Sequence, residues 1–275
     1  MQPQLVDTHT HLLFGELGKD PDRYRQRAAE AGVGTLILIG IDPASSLAAA
    51  EYAAQQTGVY CAVGVHPNET AKVGADALDE IAPLLERPEV VAIGESGLDA
   101  YWDDAPATTQ ELWLERHVEL ALERDLPLVL HIRDAYPRAA ELLAGPARRG
   151  LRGVIHCFGG AEHEVDPFLD WGWPISFSGI LTYPEAENVR GAARRTPLDL
   201  CLVETDAPWL TPAAERGRSN EPAFVVHTAR ELARVKGVSF EEIAEATTAN
   251  AQRVFGLPPR LRSEGLRPRP FSSVR

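Results

Sequence analysis

Several features that mark specialised protein classes are scarce or missing in this chain of 275 residues. Only three residues are cysteine, Cys61, Cys157 and Cys201, each in or beside an apolar run and none in Cys-x-x-Cys spacing. Reduced, buried side chains in a cytoplasmic protein are the expectation. No apolar run reaches the length of a membrane span, and the amino terminus lacks a basic segment followed by an apolar stretch. Neither a membrane segment nor a secretory leader is expected. Lysine is confined to Lys19, Lys72 and Lys236. Positive charge is in deficit overall, 27 Lys and Arg against 40 Asp and Glu for a net −13, which argues against broad adhesion to nucleic acid or anionic membrane.

What is present is the composition of an ordinary globular protein, 44% hydrophobic and 24% charged, long enough to bury a large core. Apolar runs of four to six residues alternate with helical segments. Leu5 to Asp7 is followed by a helix over Asp22–Ala31 and the run Thr35–Ile39; a helix from Asp42 to about Gln56 leads to Tyr60–Gly64. A helix around Asp76–Glu86 precedes Val90–Gly94; after a loop over 100–107, a helix over Thr108–Arg124 precedes Leu128–His131. Leu151–His156, Trp173–Ser178 and part of Leu198–Asp206 supply the last strands, and helices over Ala223–Lys236 and Phe240–Val254 complete an outer layer. This order is that of parallel βαβ units, and eight of them predict an α/β fold closed as a (β/α)8 TIM barrel. An open doubly wound sheet is the competitor, but Gly-x-Gly-x-x-Gly is missing after the first run. One barrel domain over 1–257 is expected, followed by a Pro- and Arg-rich tail over 258–275 with little to bury and hence loosely held.

In parallel barrels the reactive groups collect at the carboxyl ends of the strands. Those ends carry His9 and His11, His66, Glu95, His131, His156 and Asp206. Of the eight histidines only His117, His163 and His227 fall on expected helices. His9 and His11, two apart on a strand, present imidazoles on one side. Four histidines and two carboxylates exceed the three protein ligands usual for one catalytic zinc, so two metals fit better, with Glu95 best placed to bridge. No lysine lies near these ends, which excludes a modified lysine as the bridge. Two divalent ions would leave the pocket at about +1 despite the acidic chain.

The motifs Asp7-Thr8-His9-Thr10-His11, Gly64-Val65-His66-Pro67, Gly94-Glu95-Ser96-Gly97-Leu98-Asp99 and His131-Ile132-Arg133-Asp134-Ala135 carry a family resemblance. It continues through His156-Cys157-Phe158-Gly159-Gly160, Ser176-Phe177-Ser178-Gly179, Glu204-Thr205-Asp206-Ala207-Pro208 with Trp209-Leu210, and Asn220-Glu221-Pro222. From Asp7 to about Leu257 the chain resembles the TatD family of metal-dependent deoxyribonucleases, a branch of the amidohydrolase superfamily. The resemblance implies one metal on His9, His11, Glu95 and Asp206, a second on Glu95, His131 and His156, and Asp206 as general base. Ser96 and Ala100 depart from the common pattern without removing a ligand, which touches substrate preference only.

Around this set, His66 is either a contact to substrate or metal-bound water, or a core histidine bonded to backbone. Glu204 is a candidate to hold a metal-bound histidine in one tautomer. Arg133 is read as a phosphate contact or a surface ion pair with Asp134. Trp102 and Trp209 are read as base-stacking groups or pocket walls, Asn220 as a substrate contact, and Arg216 and Arg218 as accessory or solvated. The donor set predicts a phosphodiesterase that binds two divalent ions (Zn, Mn, Mg or Fe), and the resemblance implies that it trims single-stranded DNA or short oligonucleotides from the 3′ end. No membrane contact and no obligate protein partner are expected. Two competitors remain: an amide or ester hydrolase such as a D-aminoacyl-tRNA deacylase, an activity that the resemblance implies through relatives of the family, and a metal-stabilised binding protein without turnover.

Overall fold

The computed structural model describes residues 4–258. Its eight strands are β1 Leu5–Thr10, β2 Val33–Ile39, β3 Val59–Val63, β4 Val90–Asp99, β5 Leu128–Arg133, β6 Gly153–Ile155, β7 Ile175–Phe177 and β8 Cys201–Val203. They pair in parallel and in sequence order. The ends meet at a parallel bridge between Thr10 and Ala207, where Asp206 N donates to His9 O at 2.9 Å and His11 N donates to Ala207 O at 2.8 Å. The expected (β/α)8 barrel is therefore the observed one.

The helices are α1 Pro21–Glu30, α2 Pro43–Ala54, α3 Ala77–Ile81, α4 Ala107–Arg124, α5 Tyr136–Arg148, α6 Asp166–Asp170, α7 Glu187–Arg195, α8 Val225–Lys236 and α9 Phe240–Phe255. Their starts are written locally. The Asp42 side chain accepts from Ser45 N ahead of α2, with Pro43 in the first turn, and Ser239 and Glu242 form a reciprocal cap on α9. The helix expected over 76–86 is split: α3 gives way to a 3-10 turn over Ala82–Glu86, as Pro83 requires.

The core has two layers. Leu36 and Leu38 of β2 join the large cluster shared with the helices, whereas the alternating Ile37 and Ile39 join a second cluster with Val6, Ala62, Ala92, Val129, Val154 and Leu202. That alternation assigns the second cluster to the barrel interior. Ala251, Val254, Phe255 and Leu257 belong to it as well, and Asn250 Nδ2 donates to Cys201 O at the start of β8. So α9 plugs the amino end of the barrel, where only a further outer-layer helix was expected.

Two strands run further than their apolar residues suggest. β1 continues from Asp7 to Thr10, and β4 continues past Gly94, with Ser96–Asp99 paired to Leu130–Arg133 of β5 after a register shift. Glycine hides that extension: a Cβ on Gly97, at φ +146°, would lie 1.9 Å from His131 O. Among the described residues no helix is long and apolar enough to cross a membrane. Beyond Pro258, the Pro- and Arg-rich tail lies outside the described residues.

Candidate metal centre

All six expected ligands converge at the carboxyl end of the barrel, around the buried Glu95. Its two oxygens face different partners. Glu95 Oε2 lies 3.3 Å from His9 Nε2 and 3.7 Å from His11 Nε2, and both rings approach Asp206 Oδ1 at 3.6 and 3.5 Å. Glu95 Oε1 lies 2.8 Å from His156 Nε2, 3.1 Å from His131 Nδ1 and 3.7 Å from His66 Nε2. His9 stacks on His156 with ring centroids 3.8 Å apart, which closes the gap between the two halves.

The backbone does the aiming. Asp206 and Cys157 are non-glycine residues in the left-handed region, at φ 56° and 46°, each at the turn that follows a short strand. Such conformations are held only where surrounding contacts fix them. At Asp206 they come from Asp7, whose carboxylate accepts from Thr205 N at 2.8 Å and from Thr205 Oγ1 at 2.6 Å. Asn220 Nδ2 adds bonds to Thr205 O and Trp209 O, while its Oδ1 accepts from Glu221 N. Asn220, read above as a substrate contact, is wholly buried with both amide atoms engaged in bracing the turn. Glu204 and Asp206 both lie past the end of β8 at Val203.

Acids stand behind the second half of the site. Glu204 Oε1 meets His156 Nδ1 at 3.1 Å, and Asp99 Oδ2 meets His131 Nε2 at 2.9 Å, a contact not named among the sequence expectations. Asp99 ends a motif already singled out, and its place four residues after Glu95 was the available signal. By contrast, Nδ1 of His9 and of His11 is buried and forms no hydrogen bond among the described residues.

Charge follows this layout. Burial alone would raise the Glu95 carboxyl, yet His156, His9 and His66 hold it well below the usual carboxylate range. For His156, burial is outweighed by Glu95 and Glu204, which raise it well above an ordinary imidazole; Asp99 and Glu95 likewise raise His131 against burial. His9 is lowered by burial and by His156, and His66 falls to about 3 by burial and by His131. Burial pushes Asp7 up to about 8. Asp206 is lowered: burial opposes this, and a hydrogen bond from His11 with the charge of His9 prevails.

The donor set suits divalent cations. His9 Nε2 and His11 Nε2 lie 3.2 Å apart with two carboxylate oxygens beside them, an array of lone pairs that repel unless cations or protons lie between. Four compact triads overlap here: His9, His11 and Asp206; His9, Glu95 and His156; His66, Glu95 and His131; and His156, Cys157 and Glu204. His66 thus belongs to the cluster, with Nδ1 accepting from Asn68 N.

Other candidates line the mouth. Trp209 is 49% exposed and stands edge-on to His11 at 5.0 Å. Trp102 is 52% exposed, and Arg133 stacks on Tyr101 at 3.8 Å where an ion pair with Asp134 was the alternative. Arg216 and Arg218 lie over the rings of Tyr183 and Phe224.

A (β/α)8 barrel with a buried histidine and carboxylate donor set at the carboxyl ends of its strands is the architecture of a metal-dependent hydrolase. The chain belongs to the TatD family: the family described as TatD related DNase matches residues 6–256. The uncharacterized metal-dependent hydrolase YabD of Bacillus subtilis is 34% identical over 251 residues, covering 91% of this chain and 98% of that protein. The 3′-5′ ssDNA/RNA exonuclease TatD of Erwinia amylovora is 34% identical over 260 residues, covering 92% and 100%. The crystal structure of YJJV, a TatD homolog from Escherichia coli K12, superimposes with a TM-score of 0.89 at 32% identity, covering 94% of this chain and all of that one.

Proposed function

We propose that this metal-dependent hydrolase is a phosphodiesterase that shortens single-stranded DNA from the 3′ end. The division of Glu95 carries the reading, one oxygen toward His9 and His11 and the other toward His131 and His156. One divalent ion would be held by His9, His11, Glu95 and Asp206, and a second by Glu95, His131 and His156. When bound, such ions activate water at neutral pH and offset charge on a phosphoryl group. Relatives named as ssDNA/RNA exonucleases support the choice of substrate.

Asp206 is the proton acceptor in this scheme. Its Oδ1 faces the rings of His9 and His11, and its Oδ2 forms no hydrogen bond among the described residues, which leaves that oxygen to take a proton from attacking water. Glu204 and Asp99 hold the rings of His156 and His131 at fixed tautomers. The acidic surface disfavours a long duplex, which suits a strand end. Three unpaired cysteines support a cytoplasmic setting.

The test combines metal analysis with a single-stranded oligonucleotide labelled at either end. Stepwise loss from the 3′ end that stops with chelator and in Asp206→Asn is expected. Bound metal without shortening would overturn the reading and direct attention to acylated RNA and simple amides or esters.

A further inference from the structure

Beside the metal centre, the turn after β4 carries two large aromatic side chains in solvent. Tyr101 is 54% and Trp102 52% exposed, and their rings meet edge-to-face with centroids 4.9 Å apart. The Arg133 guanidinium lies 3.8 Å above Tyr101 and 5.8 Å from Trp102. It forms no ion pair or hydrogen bond among the described residues, although the chain is rich in carboxylates. An arginine stacked on a ring keeps its N–H edges free for an anion, and exposed aromatic faces accept nucleobases.

The group is tied to the reacting end by one side chain. Asp99 Oδ1 accepts from Tyr101 N at 2.9 Å and Trp102 N at 3.0 Å, while Asp99 Oδ2 meets His131 Nε2 at 2.9 Å. Arg133 stands opposite Asp99 in the β4–β5 register, two residues past His131. The platform therefore borders the His131 half of the donor set at a fixed offset.

We propose that Tyr101, Trp102 and Arg133 form a nucleotide subsite: a base of single-stranded nucleic acid stacks on the Trp102 and Tyr101 rings while an adjoining phosphate meets the Arg133 guanidinium. This deepens the nuclease reading and rests on it for the class of ligand. Two features select a nucleotide strand over a peptide carboxylate: the cation and the rings occur together, and the neighbouring donor set suits phosphoryl chemistry.

The test measures binding by the metal-loaded protein of two phosphorothioate-linked strands of equal length, an oligothymidylate and an abasic strand. The wild type should prefer the oligothymidylate by about tenfold or more. In Tyr101→Ser combined with Trp102→Ala that preference should fall to near unity, and Arg133→Gln should weaken both strands by a similar factor. Thermal melting checks folding, and Trp102→Ala alone replaces the double variant if that one fails to fold. Equal binding of both strands by the wild type, or a preference that survives in the ring variants, would overturn the subsite. Base-dependent binding without hydrolysis of an ordinary oligonucleotide would leave the subsite standing and defeat the nuclease reading. Hydrolysis without base preference would do the reverse.

Discussion

His131 and His156 face the same oxygen of Glu95 through opposite ring nitrogens, Nδ1 at 3.1 Å from the first and Nε2 at 2.8 Å from the second. The remaining nitrogens meet Asp99 and Glu204, so these two acids decide which atom of each ring is presented to a cation. Asp99→Asn and Glu204→Gln should each lower divalent-metal affinity by about 10–100-fold. Competition against a chromophoric chelator measures this. Unchanged affinity in both variants would remove the acids from the metal centre.

A pH effect follows from His117 in α4, which is fully buried, accepts from Val65 N at 3.1 Å and donates to Trp113 O at 2.7 Å. Burial lowers it to about 4. Between about pH 6.5 and 4 the unfolded chain binds a proton that the folded protein refuses. The stability from this residue is therefore complete above 6.5 and is lost as the pH falls, by about 3 kcal/mol in all. Denaturant midpoints from pH 7 to 4 should show His117→Gln starting lower and losing less with acid than the wild type. Parallel curves for the two proteins would contradict the assignment.

Gly97 is fixed by its neighbour. With φ +146° and no room before His131 O, Gly97→Ala should cost about 2–4 kcal/mol and displace the β5 backbone that carries His131. Chemical unfolding with metal analysis of the purified variant reads both effects. A variant within about 0.5 kcal/mol of wild type, the range of an ordinary surface change, would show that β4 and β5 do not approach this closely.

At the opposite end of the barrel, Phe255 is buried in the interior cluster. Phe255→Ala should destabilise by about 3–5 kcal/mol, while activity per folded molecule stays at the wild-type level. A loss below about 1 kcal/mol would mean that α9 is not the plug described above.

The barrel was legible because strands buried on both faces read as apolar runs, and because His9, His11, His131 and His156 interrupt or end such runs. Polar extensions were harder. Ser96–Asp99 carries the outer part of β4 with a glycine and polar residues where an apolar run would be read, so the placement of Asp99 beside His131 shows only in the β5 pairing. Asp7 and Asn220 act through a backbone turn at Thr205, a relationship between residues far apart in the chain that no local spacing encodes. The interior position of the end of α9 depends on closure at the far side of the barrel, and its amphipathic pattern looks the same against an outer face.

The bridge between Thr10 and Ala207 sets an order of events during synthesis. His9 and His11 leave the ribosome almost 200 residues before Asp206, and the hydrogen bonds that hold Asp206 beside them require both ends of the sheet. A nascent or truncated chain that stops short of this seam lacks one member of the donor set and the frame that positions two others. The complete donor set then forms in a single late step, once both ends of the sheet have met.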